Sequence, residues 1–563
     1  MQLRLAFKIL AQAILLSAVC NSVIAGNAYL RPNDRVLCAG DSITAPGTYE
    51  NYVQETLRIL YPEANVTFVN LGSGGKGADF GVNSLVLTKE PATLALFMFG
   101  VNDTGWRPIN LDEKVAKFVS ELKKAVAVAQ SKQYPLIFLR ETHFGHGANP
   151  APDAFEVKVT GVLDKLEEAQ SVFAAEQGIP MIDVRGAYHR ALEKAWAKDP
   201  AYEFTPDIIH PAPAGHAAMA CEILSAFGAG LPLSPAEGSR GALQIQRAKD
   251  MTLSLTDAVN VIAPDGTIPF SVAVQNQGGK EEEGKLLVVL AGQKFEKRLH
   301  LKAGCTTKAS FALPSSALVN RYDTTSVYMA FAGKERFVAD GGLFYYSRIQ
   351  AAGKTPYSLT SSSFSTLHPE KAPRICPVSD IHVQRSGESF TIDFTWNDTT
   401  PVFAQPECKD YAGNIVTAPL NLNSRDGQSC DAVEFFLDLR SVESIGRWTS
   451  NIDANPPGIL RLGVYQELVD GNPVAKILTQ PAMSADAVTL TPQGEHRYHL
   501  SVRTKAVGPC AGFSVRVTDN TIFKTDSTQV FLLEGYPQYL GKEPLTFVQL
   551  SEKEEGILYR FGY

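Results

Sequence analysis

The stretch VLCAGDSITAPGTY, Val36 to Tyr49, runs an apolar segment into Gly40-Asp41-Ser42 and then into an amphipathic pattern. Ser42 there is either the cap of a helix, satisfying its orphan N–H groups, or a nucleophile set at the end of a strand. The segment alone does not decide between them. The decision comes from the rest of the chain.

Four further apolar runs follow, at Val66–Val69, Leu94–Phe99, Leu136–Leu139 and Ile179–Ile182, and each reads as a strand. Between the third and fourth strands Val115, Phe118, Val119, Leu122 and Val126 recur on one face of a helix. Strand and helix in alternation predict a parallel sheet covered by helices on both sides, an α/β three-layer domain over about residues 26–235. Beyond the bridge GLPLSPAEGSRG the pattern changes to short alternating runs such as IPFSVAVQNQ and SVYMAFAG. These predict an all-β sandwich of immunoglobulin-like type over 240–355. A second loose linker, LTSSSFSTLHPEKAP, leads into another all-β sandwich over 370–563. The acidic run Glu281-Glu282-Glu283 reads as a solvated hairpin tip.

In an open parallel sheet, ligands collect outside the carboxyl ends of the strands. Ser42 follows the first strand, FVNLGSGGKG continues the second with a glycine turn, and FMFGVNDTGW ends the third with Gly100, Asn102 and Asp103. TPDIIHPAPAGH, ahead of the domain's last helix, brings Asp207 and His210 back to that edge. A serine needs a base to accept its proton, and the base needs a third group to hold its tautomer. Asp207 and His210, on a proline-bounded loop, supply both, with Asp183 and Asp103 as the next carboxylates in line. Backbone N–H groups of Ser42 and of the Gly74-Gly75 turn, with the Asn102 amide, are candidate oxyanion donors.

Taken together, Gly40-Asp41-Ser42, the glycine turn, Gly100-Val101-Asn102-Asp103 and Asp207-Ile208-Ile209-His210 resemble the SGNH, or GDSL-type, hydrolases over about residues 30–230. The resemblance implies Ser42 as nucleophile, Asn102 as an oxyanion donor, and Asp207 and His210 as orienter and base. Counting five from Asn70 selects Gly75 as the glycine donor, with Gly72 and Gly74 as alternatives. Trp106 and His143 are expected to line the cleft, whereas His216 falls on the following helix and His146 is a loop residue. No cofactor and no metal site is expected.

The first 25 residues carry Arg4 and Lys8 around an apolar run from Leu5 to Val19, with small or aliphatic residues before Gly26. This fits a cleaved signal peptide, residues 1–25, and a secreted or periplasmic protein. Lipidation at Cys20 fits less well, because Val19 is larger than the small residue expected there. No later segment is long and apolar enough to span a bilayer. With 45% hydrophobic residues and a net charge of −7 without basic blocks, the composition argues against a nucleic-acid partner. Seven cysteines remain after cleavage, without zinc spacing; Cys38 reads as a buried hydrophobe and Cys408 with Cys430 as a possible disulfide.

FTIDFTWNDTTP, CDAVEFFLDLR and AGFSVRVTDNT in the last region resemble the family 9 carbohydrate-binding modules. Trp396 and Trp448 are either sugar-stacking platforms or core residues. Both resemblances together imply an esterase that removes O-acetyl or similar acyl groups from a polysaccharide through an acyl-enzyme. The alternatives are a lipase or thioesterase, and a glycan-binding protein with an inactive hydrolase domain.

Overall fold

The computed structural model describes residues 27–142, 144–145, 151–197, 204–205, 209–243, 250–256, 259–319, 322–334, 336–366, 376–399, 401–404, 408–409, 415–416, 430–440, 458–504, 510–519, 529–533, 548–553 and 555–562. The leader with Cys20, and Asp207, His143, His146 and Trp448, lie outside the described residues.

Five parallel strands form the first sheet: β1 (Arg35–Gly40), β2 (Thr67–Asn70), β3 (Leu94–Met98), β4 (Leu136–Leu139) and β5 (Met181–Ile182). Their order is β2-β1-β3-β4-β5. The chain moves outward from β1 in both directions, so the topological switch lies between β1 and β3, where a ligand crevice opens in such sheets. Register pairs Val36 with Leu94 and Gly40 with Met98, so β1 and β3 end side by side.

Among the described residues six helices cover the sheet: α1 (Thr48–Leu60), α2 (Ala78–Leu87), α3 (Leu111–Ser131), α4 (Phe155–Gln177), α5 (Val184–Trp196) and α6 (Pro213–Phe227). Side chains alternate across a strand, and the two halves of each run enter different cores. Leu37, Ala39, Ala95 and Phe97 pack with Val82, Leu85, Phe118 and Leu122 of α2 and α3. Val36, Cys38, Leu94, Leu96 and Met98 pack on the other side with α1, α5 and α6. Cys38 is fully buried, as an apolar strand residue would be.

Helix α6 explains how the first domain meets the next. Every residue from Ala214 to Phe227 is buried, which a helix lying on one sheet cannot achieve. Its outer side lies against strands Tyr322–Gly333 and Phe337–Ala351 of the middle sandwich. Tyr328, Ala330, Ala339, Leu343 and Tyr345 from those strands share one apolar core with Leu224 and Phe227. The Tyr52 hydroxyl donates to the Thr324 carbonyl at 3.1 Å, and the Tyr328 hydroxyl to the Ala229 carbonyl at 2.8 Å.

The middle sandwich faces that sheet with a second one made of Thr306–Pro314, Thr267–Asn276 and Met251–Leu255. The C-terminal sandwich packs Val378–Ser386, Ser389–Trp396 and Arg497–Arg503 over a sheet containing Ala432–Asp438, Ile459–Val469 and Cys510–Asp519. The all-β class expected for this half of the chain is what is found.

Several details depart from the expectations. Strand Gly556–Phe561 leaves the C-terminal region and pairs with Phe337–Ala351 and Val259–Ile262, so a 370–563 unit does not follow the sheets. Parallel pairing of Ile349–Ala351 with Gln549–Ser551 joins the two sandwiches through one continuous sheet. The expected linkers are also partly ordered. Arg240 forms a bidentate pair with Asp34 at 2.6 and 2.8 Å, tying the bridge back onto the hydrolase domain. In the second linker, Tyr357–Leu359 pairs with the Val378–Ser386 strand and Phe364–Thr366 with Gln529–Leu533. Glu282 is buried, with the Arg336 guanidinium at 3.1 Å, and is not part of a solvated tip. Trp396 is buried in the sandwich core, which removes it as a sugar platform. Cys430 is buried; the side chain of its expected partner, Cys408, lies outside the described residues.

Candidate active site

Helix α1 begins at Thr48 with Gly47 as its cap residue, at φ 73°, so Ser42 does not cap it. Ser42 lies in the turn between β1 and α1. The turn is held by Ala45 N–H to the Asp41 carbonyl at 2.9 Å and Gly47 N–H to the Thr44 carbonyl at 2.8 Å. Gly40 is required because a Cβ there would lie 2.0 Å from Thr44 Oγ1. Thr44 is itself pinned by the buried Tyr49 hydroxyl at 3.1 Å.

His210 Nε2 lies 2.8 Å from Ser42 Oγ, across 168 residues of sequence. This is the contact a serine nucleophile and its base require. The proposed orienter, Asp207, falls outside the described residues. His216, one turn into α6, is buried beside His210 and stacked on Tyr49 with ring centroids 6.2 Å apart. Burial, reinforced by the His210 charge, pushes its pKa down to about 3, so it stays neutral and is not a proton carrier.

Asn102 opens a short 3-10 turn after β3. Its amide donates to Asp41 Oδ2 at 2.9 Å and to the Lys76 carbonyl at 3.1 Å. The first bond fixes the amide's orientation; the second occupies the N–H that would have to turn toward an oxyanion. Within the glycine turn, the Gly72 N–H is taken by Asn70 Oδ1 at 2.8 Å and the Ser73 N–H by the Gly40 carbonyl at 3.1 Å. That removes Gly72 as a donor. A Cβ on Gly74 would sit 3.9 Å from Ser42 Cβ, which puts Gly74 beside the nucleophile, and Gly75 follows it in the turn at a φ of 70°.

Asp103 does not turn toward the histidine. Its two oxygens both accept from Ala78 N–H at 3.1 Å, capping α2 and tying the Asn102 loop to the glycine turn. Burial raises its pKa to about 7 despite that bond. Asp183, the other alternative orienter, caps α5 by accepting from Gly186 N–H and pairs with Arg140 at 3.1 Å. Trp106 is half-buried at φ 57° and meets Phe144 edge-on with centroids 5.3 Å apart.

The residue missed from sequence is Glu141, directly after β4 and fully buried. It accepts from Val101 N–H at 2.5 Å and lies in hydrogen-bond contact with Asp41. An acidic residue ending an apolar strand at the carboxyl edge was the available signal. Among the described residues, one carboxylate group close enough to share a metal ion is Asp398, Asp431 and Asp519, in the C-terminal sandwich and away from this edge.

Residues 38–218 match the family model described as GDSL-like Lipase/Acylhydrolase family. No curated protein matches the chain. Similar solved structures include LAE5, an alpha/beta hydrolase enzyme from the metagenome of Lake Arreo, at 22% identity over 36% of this chain and 99% of that one, with a TM-score of 0.30. A catalytic mutant of Axe2, an acetylxylan esterase from Geobacillus stearothermophilus, is 21% identical over 36% and 96%, with a TM-score of 0.30. BT4096, a gut microbial diltiazem-metabolizing enzyme, is 16% identical over 48% and 71%, with a TM-score of 0.32. Those likenesses are too distant to bear on activity. The family match falls on the parallel-sheet domain that carries Ser42, Asn102 and His210, and residues 38–218 are therefore a GDSL-like lipase/acylhydrolase domain.

Proposed function

We propose that this protein is an exported serine esterase that removes O-acetyl or similarly small acyl groups from a polysaccharide. The observation that carries the esterase reading is the 2.8 Å contact between Ser42 Oγ and His210 Nε2 at the switch point of the sheet. His210 takes the serine proton as Oγ attacks the ester carbonyl, and the same proton then goes to the departing sugar oxygen. Asp207 is the expected orienter of His210. Oxyanion charge falls to Ser42 N–H, to Gly75 or Gly74 N–H, and to the Asn102 amide once it turns from the Lys76 carbonyl. Water, activated by His210, releases the acid from Ser42.

Two features support the polysaccharide reading: the two β-sandwiches joined to the hydrolase domain, and the resemblance of the last one to family 9 carbohydrate-binding modules. Anchoring an enzyme on a polymer raises its local concentration there. With Trp396 in the core, any sugar platform must lie elsewhere on that sandwich. The leader-like first 25 residues support export.

Acetate release from a panel of acetylated glycans tests the reading, with Ser42→Ala as the blank. Release well above the blank from at least one glycan is expected. Release at the level of the blank from every glycan, with rapid hydrolysis of long-chain lipid esters, would instead make the protein a lipase.

A further inference from the structure

Asp41 and Glu141 place two carboxyl groups in contact beneath the nucleophile, each with no exposed surface. Asp41 receives two donors: Ile43 N–H at 2.9 Å on Oδ1 and the Asn102 amide at 2.9 Å on Oδ2. Glu141 receives one, Val101 N–H on Oε2, and among the described residues no donor reaches its buried Oε1. Two ionised carboxylates cannot share such a site; one proton must lie between them. The donors decide where it sits. Asp41, with two N–H groups, is the better-stabilised anion, so Glu141 is the acid.

Resting on the esterase reading above, we propose that Glu141 is a positioning residue that works as a neutral carboxylic acid, donating to Asp41 and accepting from Val101 N–H, so that Asp41 stays turned to the Asn102 amide. Three consequences follow for the site. The Asn102 amide is fixed by one N–H, and its other, now on the Lys76 carbonyl at 3.1 Å, is the one an oxyanion would take over. Val101 N–H ties the loop after β3 to the end of β4, setting the height of Asn102 above the sheet. The pair holds a single negative charge within range of His210, favouring the imidazolium formed when Ser42 gives up its proton.

The charged groups acting most strongly on the pair are each other, His210 on the Asp41 side, and Asp103. Burial and the Asp41 charge both hold the Glu141 carboxyl well above the usual range, in keeping with the geometry. The two groups titrate as a unit. Removing the shared proton at high pH would set two anions against each other and free Asp41 to swing from Asn102.

The test uses the full chain and an aryl acetate, comparing wild type with Glu141→Gln and Glu141→Ala. Glutamine reproduces the neutral acid, with an N–H for Asp41 and a carbonyl for Val101. It should keep kcat within about threefold of wild type, whereas alanine should lose roughly tenfold to a hundredfold in kcat with little change in KM, up to the value of one oxyanion donor. At alkaline pH the wild-type rate should fall while the Gln variant holds its rate. Infrared difference spectra at neutral pH should show a carboxylic-acid carbonyl band in wild type that Glu141→Gln lacks. A Gln variant as impaired as the Ala variant, or no band difference, would overturn the proposal, as would an Ala variant with wild-type kcat. Failure of the esterase reading looks different: wild type would be no faster than Ser42→Ala, and the infrared band would still report the state of Glu141.

Discussion

Cutting the chain after residue 235 should cost the hydrolase domain its stability, although the sheet and every proposed catalytic residue lie before that point. A helix resting on one sheet leaves roughly a third of its positions in water, so about five positions of α6 owe their burial to the middle sandwich. Uncovering them, with the neighbouring apolar surface, exposes on the order of 300 Å². At about 25 cal/mol per Å² this comes to roughly 7 kcal/mol. A typical domain has about 5–15 kcal/mol in total. The fragment 26–235 should therefore aggregate or unfold far below the full chain, with activity on small aryl esters lost in parallel. Thermal unfolding by circular dichroism, with size-exclusion chromatography and an aryl-acetate assay, measures this. A monodisperse fragment that unfolds cooperatively within a few degrees of the full chain would refute the reasoning.

Replacing Ser42 with Ala should lower aryl-acetate turnover by several orders of magnitude without unfolding the protein, and an organophosphonate should label wild type but not the variant, as read by mass spectrometry. Asn102→Ala should cost about 10²–10³ in kcat, and unchanged turnover would remove Asn102 from the oxyanion site. Gly341→Ala places a Cβ 1.8 Å from Cys221 Sγ and 2.6 Å from the Val327 carbonyl, so it should wedge α6 off its sheet and destabilise by about 1–3 kcal/mol in urea unfolding. Burial raises the Glu50 carboxyl from 4.5 to about 8 in the native state, so its contribution to stability is fully present below the lower value and is lost as pH rises through the higher. Glu50→Gln should flatten that slope, on the order of a few kcal/mol, and an equal slope in wild type and variant would exclude Glu50 as its source.

The parallel sheet was legible because strands covered on both faces read as unbroken apolar runs, and each strand found lies within two residues of its predicted span. The convergence of Ser42, Asn102 and His210 was legible for a topological reason: each follows or precedes an element ending at one edge. What stayed hidden depends on partners distant in sequence. Pro- and Gly-rich composition looks the same in a free linker and in a segment such as the bridge, whose order comes from Arg240 reaching Asp34. Glu141 sits in RETHFGHG beside two histidines that draw attention first, and its role arises only from Asp41 across the sheet. The last strand, GILYRF, alternates as any strand would, and nothing local says which sandwich it joins.

That strand bears on when the molecule can fold. Phe337–Ala351 carries α6 on one side and pairs, over Phe344–Ile349, with residues made about 200 positions later. During synthesis the platform beneath the hydrolase domain stays unfinished until Gly556–Phe561 has left the ribosome. Until then it presents an open sheet edge, the kind of surface through which partly made chains aggregate. A message truncated between Ala351 and those six residues would leave that edge bare beneath a catalytic sequence that is complete, so maturation of the enzyme is tied to translation of a strand that carries none of its catalytic residues.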